Sequence, residues 1–136
     1  MHTKQLPLIS IITVVYNGSK TLEQTIQSVI RQSYQNIEYI IIDGGSTDET
    51  INIIKKYEKY ISNWISEADK GLYDAMNKGI ALAKGELVGM INSDDWYERD
   101  AVNIIVNAYL ENPYKCVFHG DRYDIDNNGN RRKYKF

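Results

Sequence analysis

The stretch Gly85-Glu-Leu-Val-Gly-Met-Ile-Asn-Ser-Asp-Asp-Trp96 decides how the rest of the chain is read. Glu86 to Ile91 is a short apolar run of strand length, expected to be buried on both faces, and it breaks off into Asn92, Ser93, Asp94 and Asp95. Carboxylates at the mouth of a hydrophobic strand are stabilised only by a cation, by hydrogen-bond donors or by protonation. A divalent metal would meet that need. So would an Asx-rich loop in which Asp94 or Asp95 caps the next helix, and N-x-D-D alone does not separate the two readings.

Outward from this stretch, strands and helices alternate. Residues 8–15 are β-branched and almost continuously apolar, as suits a parallel strand covered on both faces. Leu22, Ile26, Val29 and Ile30 predict a helix between Ser19 and Gln32. Ile37 to Ile42 predicts a second strand running into Asp43-Gly44-Gly45-Ser46. Ser46 and Glu49 have capping-box spacing, predicting a helix through Lys59 with Ile51, Ile54 and Tyr57 inward. A weaker strand, Ile61 to Ser66, empties into Glu67-Ala-Asp69-Lys-Gly71. Leu72, Met76, Ile80 and Ala83 predict the inner stripe of a helix to Lys84, with Gly85 as its C-cap glycine.

Beyond Trp96, Ala101, Val102, Ile105, Val106 and Tyr109 mark another helix, closed by Asn112-Pro113. Cys116 to His119 predicts a fifth strand ending in Gly120-Asp121, with the lone cysteine as a buried structural thiol. Asn128-Gly129 places a hairpin turn between Arg122 and Lys135. Strands alternating with helices imply right-handed crossovers and a mostly parallel α/β sheet, whose ligands bind outside the carboxyl ends of the strands. The predicted strand ends carry Tyr16-Asn17, Asp43, Glu67 with Asp69, Asn92 with Asp94 and Asp95, and Asp121. Acids so close together repel one another unless they hold a cation or hydrogen-bond donors.

At 136 residues the chain is read as one domain with a real core. A net charge of -2 offers no long-range attraction for nucleic acid. No stretch approaches the roughly 18 apolar residues of a membrane span, and the N-terminus lacks the plan of a signal peptide, so the chain is read as cytoplasmic. One cysteine excludes a disulfide framework. His2 in the N-terminal segment and a structural His119 make zinc a poor fit. Neither G-x-x-x-x-G-K-[ST] nor G-x-G-x-x-G follows a strand, so a phosphorylated ligand would be met by acids through a bridging Mg²⁺ or Mn²⁺. Asp43, beside Gly44-Gly45, is placed to accept a hydrogen bond from the ring N–H of a base; an ordinary Asx turn is the alternative.

Four motifs in this order, I-S-I-I-T-V-V-Y-N at 9–17, I-I-D-G-G-S-T-D-E-T at 41–50, S-E-x-D-K-G-L-Y-D-A-M-N-K-G-I at 66–80 and I-N-S-D-D-W at 91–96, cover nearly the whole chain. Together they resemble the nucleotide-sugar-binding portion of family 2 glycosyltransferases of the GT-A fold, especially those of bacterial polysaccharide biosynthesis. The resemblance implies an inverting, metal-dependent enzyme that moves a sugar from a nucleoside-diphosphate donor, with UDP favoured, to a saccharide or lipid-linked acceptor. It implies Thr13, Tyr16 and Asn17 around the nucleoside, Asp43 with Gly44 on the base, and Asp69 with Gly71 closing over ribose or base. Asp94 falls near the ribose and Asp95 on the metal. Asn92 stands where the family commonly has an acid and is left out of the metal shell. Asp74, Asn77 and Lys78 match the family but also suit a solvent-facing helix side. The family's general base and acceptor site fall in a later acidic motif, so residues 1–136 are expected to be a GT-A domain incomplete at its C-terminus. Asp121 is no convincing substitute. Further expectations are apolar sheet surface covered by a second copy in a homodimer, and a peripheral position at the inner membrane face. The alternative reading is a non-catalytic nucleotide-binding or interaction module without an acceptor lobe.

Overall fold

The structure, a computed structural model, describes residues 5–135; His2 lies outside them. Four parallel strands form the sheet: β1 (Ile9–Val15), β2 (Ile37–Asp43), β3 (Asn63–Ser66) and β4 (Leu87–Asn92), in the order β3-β2-β1-β4. The crossovers are α1 (Leu22–Ile30), α2 (Thr50–Lys56) with a short 3-10 turn at Glu58–Tyr60, and α3 (Leu72–Leu82). Helix α4 (Ala101–Glu111) follows β4, and β5 (Arg122–Ile125) with β6 (Arg131–Tyr134) makes a separate antiparallel hairpin. Its turn is closed by Gly129 at φ 82°, a left-handed conformation that glycine adopts without steric cost.

All of β1 and the last five residues of β2 are buried, as continuous β-branched runs require. On one face Ile9, Ile11, Val15 and Ile41 pack with Leu22 and Ile26 of α1, Ile54 of α2, and Val102 and Val106 of α4. On the other, Ile12, Val14, Ile40 and Ile42 meet α3 at Ala75, Met76 and Leu82. Each such side chain taken fully from water contributes ~1.5–3 kcal/mol, so the two central strands anchor the domain.

Several predicted features are corrected. The inner stripe of α3 is not Leu72 and Ile80, which are 51% and 46% exposed, but Ala75 and Gly79. A Cβ on Gly79 would lie 2.5 Å from Ile12 Cγ2, so two small residues one turn apart let the helix approach the sheet too closely for large ones. Strand β4 is not buried on both faces. It is an edge strand, α3 covers β1 and β2 instead, and Val88 and Met90 remain 45% and 40% exposed. Gly85 is not the C-cap, since α3 stops at Leu82 with Ala83 extended. Its backbone passes β1 so closely that a Cβ would stand 2.6 Å from the Ser10 amide nitrogen.

The capping box also fails to form: α2 starts at Thr50, and the Ser46 hydroxyl is engaged on Asp43 instead. Residues Cys116 to His119 form no strand. Cys116 is exposed rather than buried and Val117 is 78% exposed, because the segment pairs with no sheet edge.

Candidate nucleotide and metal site

Parallel register brings the strand ends level. Val15 stands beside Asp43, Asp43 beside Ser66, and Val14 beside Asn92, so the loops after all four strands open on one rim. Contacts between the loops run continuously along it. The 92–95 turn meets Gly18, where an added Cβ would lie 3.3 Å from Ser93 Oγ. The Asn17 amide donates to Ser46 Oγ at 2.7 Å, and Asn17 Oδ1 accepts from the Thr47 amide at 2.8 Å. Asn17 adopts φ 48°, a left-handed conformation Asn tolerates better than most residues. The Asp69 carboxylate lies against Gly44, where a Cβ would stand 2.6 Å from Oδ2. Asp69 Oδ1 accepts the Gly71 amide at 2.8 Å, and Gly71 turns the chain into α3 with φ 109°.

Two expected contact residues sit elsewhere than on the open surface. Thr13 is fully buried, two residues short of the end of β1, and hydrogen-bonds Tyr39 Oη at 2.9 Å; the core has absorbed it. Asp43 is also fully buried. Its Oδ2 accepts from the Gly45 amide at 3.1 Å, the Ser46 amide at 3.0 Å and Ser66 Oγ at 2.7 Å, and its Oδ1 accepts from Ser46 Oγ. Asp43 is therefore the internal tie of the 44–46 loop. Tyr16, 65% exposed, Asn17, Gly44, Asp69, Gly71, Asp94 and Asp95 all lie on the rim loops. The strand predicted to carry Asp121 does not form among the described residues, and Asp121 pairs with Lys133 of the hairpin at 3.0 Å.

Donors settle most of the crowding of acids. Asp48, which the sequence reading passed over, takes the Thr50 hydroxyl and amide on Oδ1 and the Ser19 amide on Oδ2. Hydrogen bonding, led by the Thr50 hydroxyl, holds its carboxyl well below the usual carboxylate range. The hydroxyl-rich run Ser46-Thr-Asp-Glu-Thr50 after a strand was the available signal, since such side chains bond neighbouring backbone. Glu67 pairs with Lys78 Nζ at 2.9 Å, and Asp74 accepts the Lys70 amide at 3.0 Å, which leads the lowering of its carboxyl pKa.

Asp95 is the exception. Desolvation first, and then the charge of Asp94, raise its carboxyl pKa, with only a bond involving the Asn92 side chain and the charge of Arg122 opposing. The residue as a whole is exposed, so the carboxylate is open to solvent. The turn around it is fixed from behind: Thr25 Oγ1 donates to the Asp95 carbonyl at 2.6 Å, and the Tyr97 amide donates to Ser28 Oγ at 3.1 Å. Burial and the charge of Asp95 push the Tyr97 phenol up to about 12. No group of three or more His, Cys, Asp or Glu able to hold a metal occurs among the described residues. Two hollows open on the surface, one lined by Tyr34 and Tyr60 and one between α1 and Trp96, Tyr97 and Arg99.

The sequence profile of glycosyl transferase family 2 matches residues 10–136. The chain belongs to that family. Among curated relatives of this family 2 chain, an uncharacterised glycosyltransferase from Haemophilus influenzae is 38% identical over 131 residues, covering 94% of this chain and 52% of the relative. Chondroitin synthase from Escherichia coli is 34% identical over 132 residues, covering 93% of this chain and 19% of the synthase. The chain thus spans about half the length of the first relative and about a fifth of the second. Among solved structures, S. aureus TarS in complex with UDP superposes with a TM-score of 0.71 at 25% identity, over 76% of this chain and 32% of TarS. The expected GT-A α/β fold is thereby shown. No helix among the described residues is long and apolar enough to cross a membrane.

The rim of this family 2 domain fits a hard dication bound in part by its own ligand. Mg²⁺ and Mn²⁺ take one or two carboxylates and fill the remaining positions with phosphate oxygens and water. Asp94 and Asp95 present two adjacent exposed carboxylates, and Asp95 lacks the saturating donors of Asp43.

Proposed function

We propose that this domain binds a nucleoside-diphosphate sugar, with UDP as the nucleotide, together with Mn²⁺ or Mg²⁺, and serves an inverting glycosyl transfer to a saccharide or lipid-linked acceptor in cell-surface polysaccharide synthesis. The observation that carries the reading is the pair of exposed carboxylates, Asp94 and Asp95, at the end of β4 on a rim whose other loops are tied by donors. Membership of family 2 and the likeness to polysaccharide synthases support it.

In this reading Tyr16 and Asn17 present an aromatic face and an amide edge to the nucleoside. Gly44 leaves room for the Asp69 carboxylate beside it, and Asp69 and Gly71 border the ribose or base. Asp43 acts through the 44–46 loop, which its buried carboxylate ties in place beside the base. Thr13 supports the pocket from beneath through Tyr39. Asp94 lies on the ribose side and Asp95 holds the metal. The bound dication would neutralise the charge that develops on the departing diphosphate. The acceptor hydroxyl attacks the anomeric carbon from the face opposite the diphosphate, losing its proton to a general base; no residue of this chain is assigned that role.

Isothermal titration with UDP and MnCl₂, separately and together, tests the reading. UDP should bind only with the metal present, and at hundredfold excess over its dissociation constant should stabilise the domain by about 2.7 kcal/mol. Absence of binding and of thermal shift with every nucleoside diphosphate plus Mn²⁺ or Mg²⁺ would overturn it.

A further inference from the structure

The segment 95–99 is bonded along α1 at every step. Thr25 Oγ1 donates to the Asp95 carbonyl at 2.6 Å, the Tyr97 amide to Ser28 Oγ at 3.1 Å, Gln32 Nε2 to the Glu98 carbonyl at 2.8 Å, and the Ser33 amide to the Arg99 carbonyl at 3.0 Å. Between these two walls lies a hollow of about 290 Å³, with Gln24, Gln27 and Arg31 on the helix side and Trp96, Tyr97 and Arg99 on the other. Its main-chain frame is fixed before any ligand arrives, which lowers the ordering cost of binding. The volume is at the small end of the ~300–1,000 Å³ range of ligand clefts, so it suits one small unit rather than a macromolecular face.

The lining is cationic and unsatisfied. Of the five arginines in the chain, three lie on the hairpin and each is engaged there: Arg122 by Asp124, Arg131 by Glu98 and Arg132 by the Tyr134 ring. Arg31 and Arg99 are exposed and have no ion pair, side-chain hydrogen bond or ring contact among the described residues. No acidic side chain among the described residues lines the hollow. The acids next to it in sequence are taken by other groups, Glu98 by Arg131 and Glu23 by Lys56 and Tyr57. A guanidinium fork pairs with carboxylate or phosphate oxygens through parallel donors. The Trp96 indole, 37% exposed, adds a flat apolar face, and the Gln24 and Gln27 carboxamides add polar edges. A bare anion would leave the indole and the amides unused. A neutral sugar would leave two guanidinium groups unpaired.

We propose that this hollow binds an acidic sugar unit, a pyranose bearing a carboxylate or a phosphate, with Arg31 and Arg99 on the oxyanion, Trp96 against the ring and Gln24 and Gln27 on its hydroxyls. The site is separate from the nucleotide rim and needs no metal. Its service to glycosyl transfer, holding an anionic acceptor chain beside the rim, rests on the donor-site reading above; binding itself does not.

The experiment is an NMR titration of the isotope-labelled 136-residue protein, without metal or UDP, reading the indole N–H of Trp96, which W96F assigns by its loss. The titrants are D-glucuronate, glucose 6-phosphate, D-glucose and inorganic phosphate. One or both acidic sugars should bind in the millimolar range, as suits so small a ligand, and at least about tenfold more tightly than glucose or inorganic phosphate. The tighter of the two distinguishes a uronate from a phosphosugar ligand. R31Q and R99Q should each weaken that binding about tenfold, while R132Q, which removes a hairpin charge, should leave it unchanged. Glucose or inorganic phosphate binding as tightly as the acidic sugars, an equal loss in R132Q, or a Trp96 resonance that moves with neither acidic sugar would overturn the proposal and leave the donor site standing. Failure of the wild-type protein to bind UDP at any Mn²⁺ concentration would overturn the donor-site reading and leave this site standing.

Discussion

Replacing Asp95 by asparagine should stabilise the empty domain and abolish its response to metal. The carboxyl pKa of Asp95 is raised above its ordinary 3.8 by desolvation and by Asp94, so the folded state disfavours the ionised form. For an acid with a raised folded pKa, the penalty is absent below the unfolded value and grows as pH rises through the folded one. Because the side chain is exposed, the effect is discounted to the scale of surface charge pairs, about 0.5 kcal/mol at pH 7. In a domain of this size that is about 2 °C in Tm. Thermal unfolding of D95N and wild type across pH 3 to 8 would show the two curves meeting below about pH 3.8 and separating above it, with the variant more stable. In the presence of UDP, added Mn²⁺ should then raise the wild-type Tm and leave that of D95N unmoved. A D95N protein that is less stable at pH 7, or one that keeps its full metal-dependent shift, would refute the reasoning.

Asp43→Ala should destabilise by about 3–5 kcal/mol, because it strands the Gly45 and Ser46 amides and two hydroxyls that now share one buried carboxylate; urea unfolding measures it, and a loss under 1 kcal/mol would show the loop to be tied by other means. Gly79→Ala improves helix propensity by about 1 kcal/mol yet places a methyl 2.5 Å from Ile12 Cγ2, so overpacking of about 1–3 kcal/mol should leave the variant no more stable and commonly less. A clear gain in the same unfolding assay would mean that α3 can lift off the sheet freely.

The parallel sheet was legible because β-branched runs at 9–15 and 37–43 leave few alternatives to strands buried on both faces. The hairpin was legible too, since Asn128-Gly129 supplies the left-handed residue its turn needs. Helix α3 was read half right: Met76 and Ala83 pack toward the sheet as expected, while Leu72 and Ile80 give way to Ala75 and Gly79. Hydropathy ranks Leu72 and Ile80 above Ala75 and Gly79, but close packing is decided by the space between helix and sheet. The reading of β4 failed for a related reason, as the character of a strand does not say whether a helix lies over it.

At the site, the sequence by itself determined which acids end which strands and that they share one edge, because parallel topology puts every carboxyl end on the same side. What only the tertiary structure decided is how each acid is satisfied. Asp43 and Asp48 are saturated by donors that lie within their own loops or across from them, Glu67 is paired by a lysine eleven residues on, and Asp95 is left exposed beside Asp94. Electrostatic need depends on distances between groups that are far apart in sequence, and the pairing of Arg131 with Glu98 across α4 is of that kind. Chain order carries no measure of such a distance; folding supplies it.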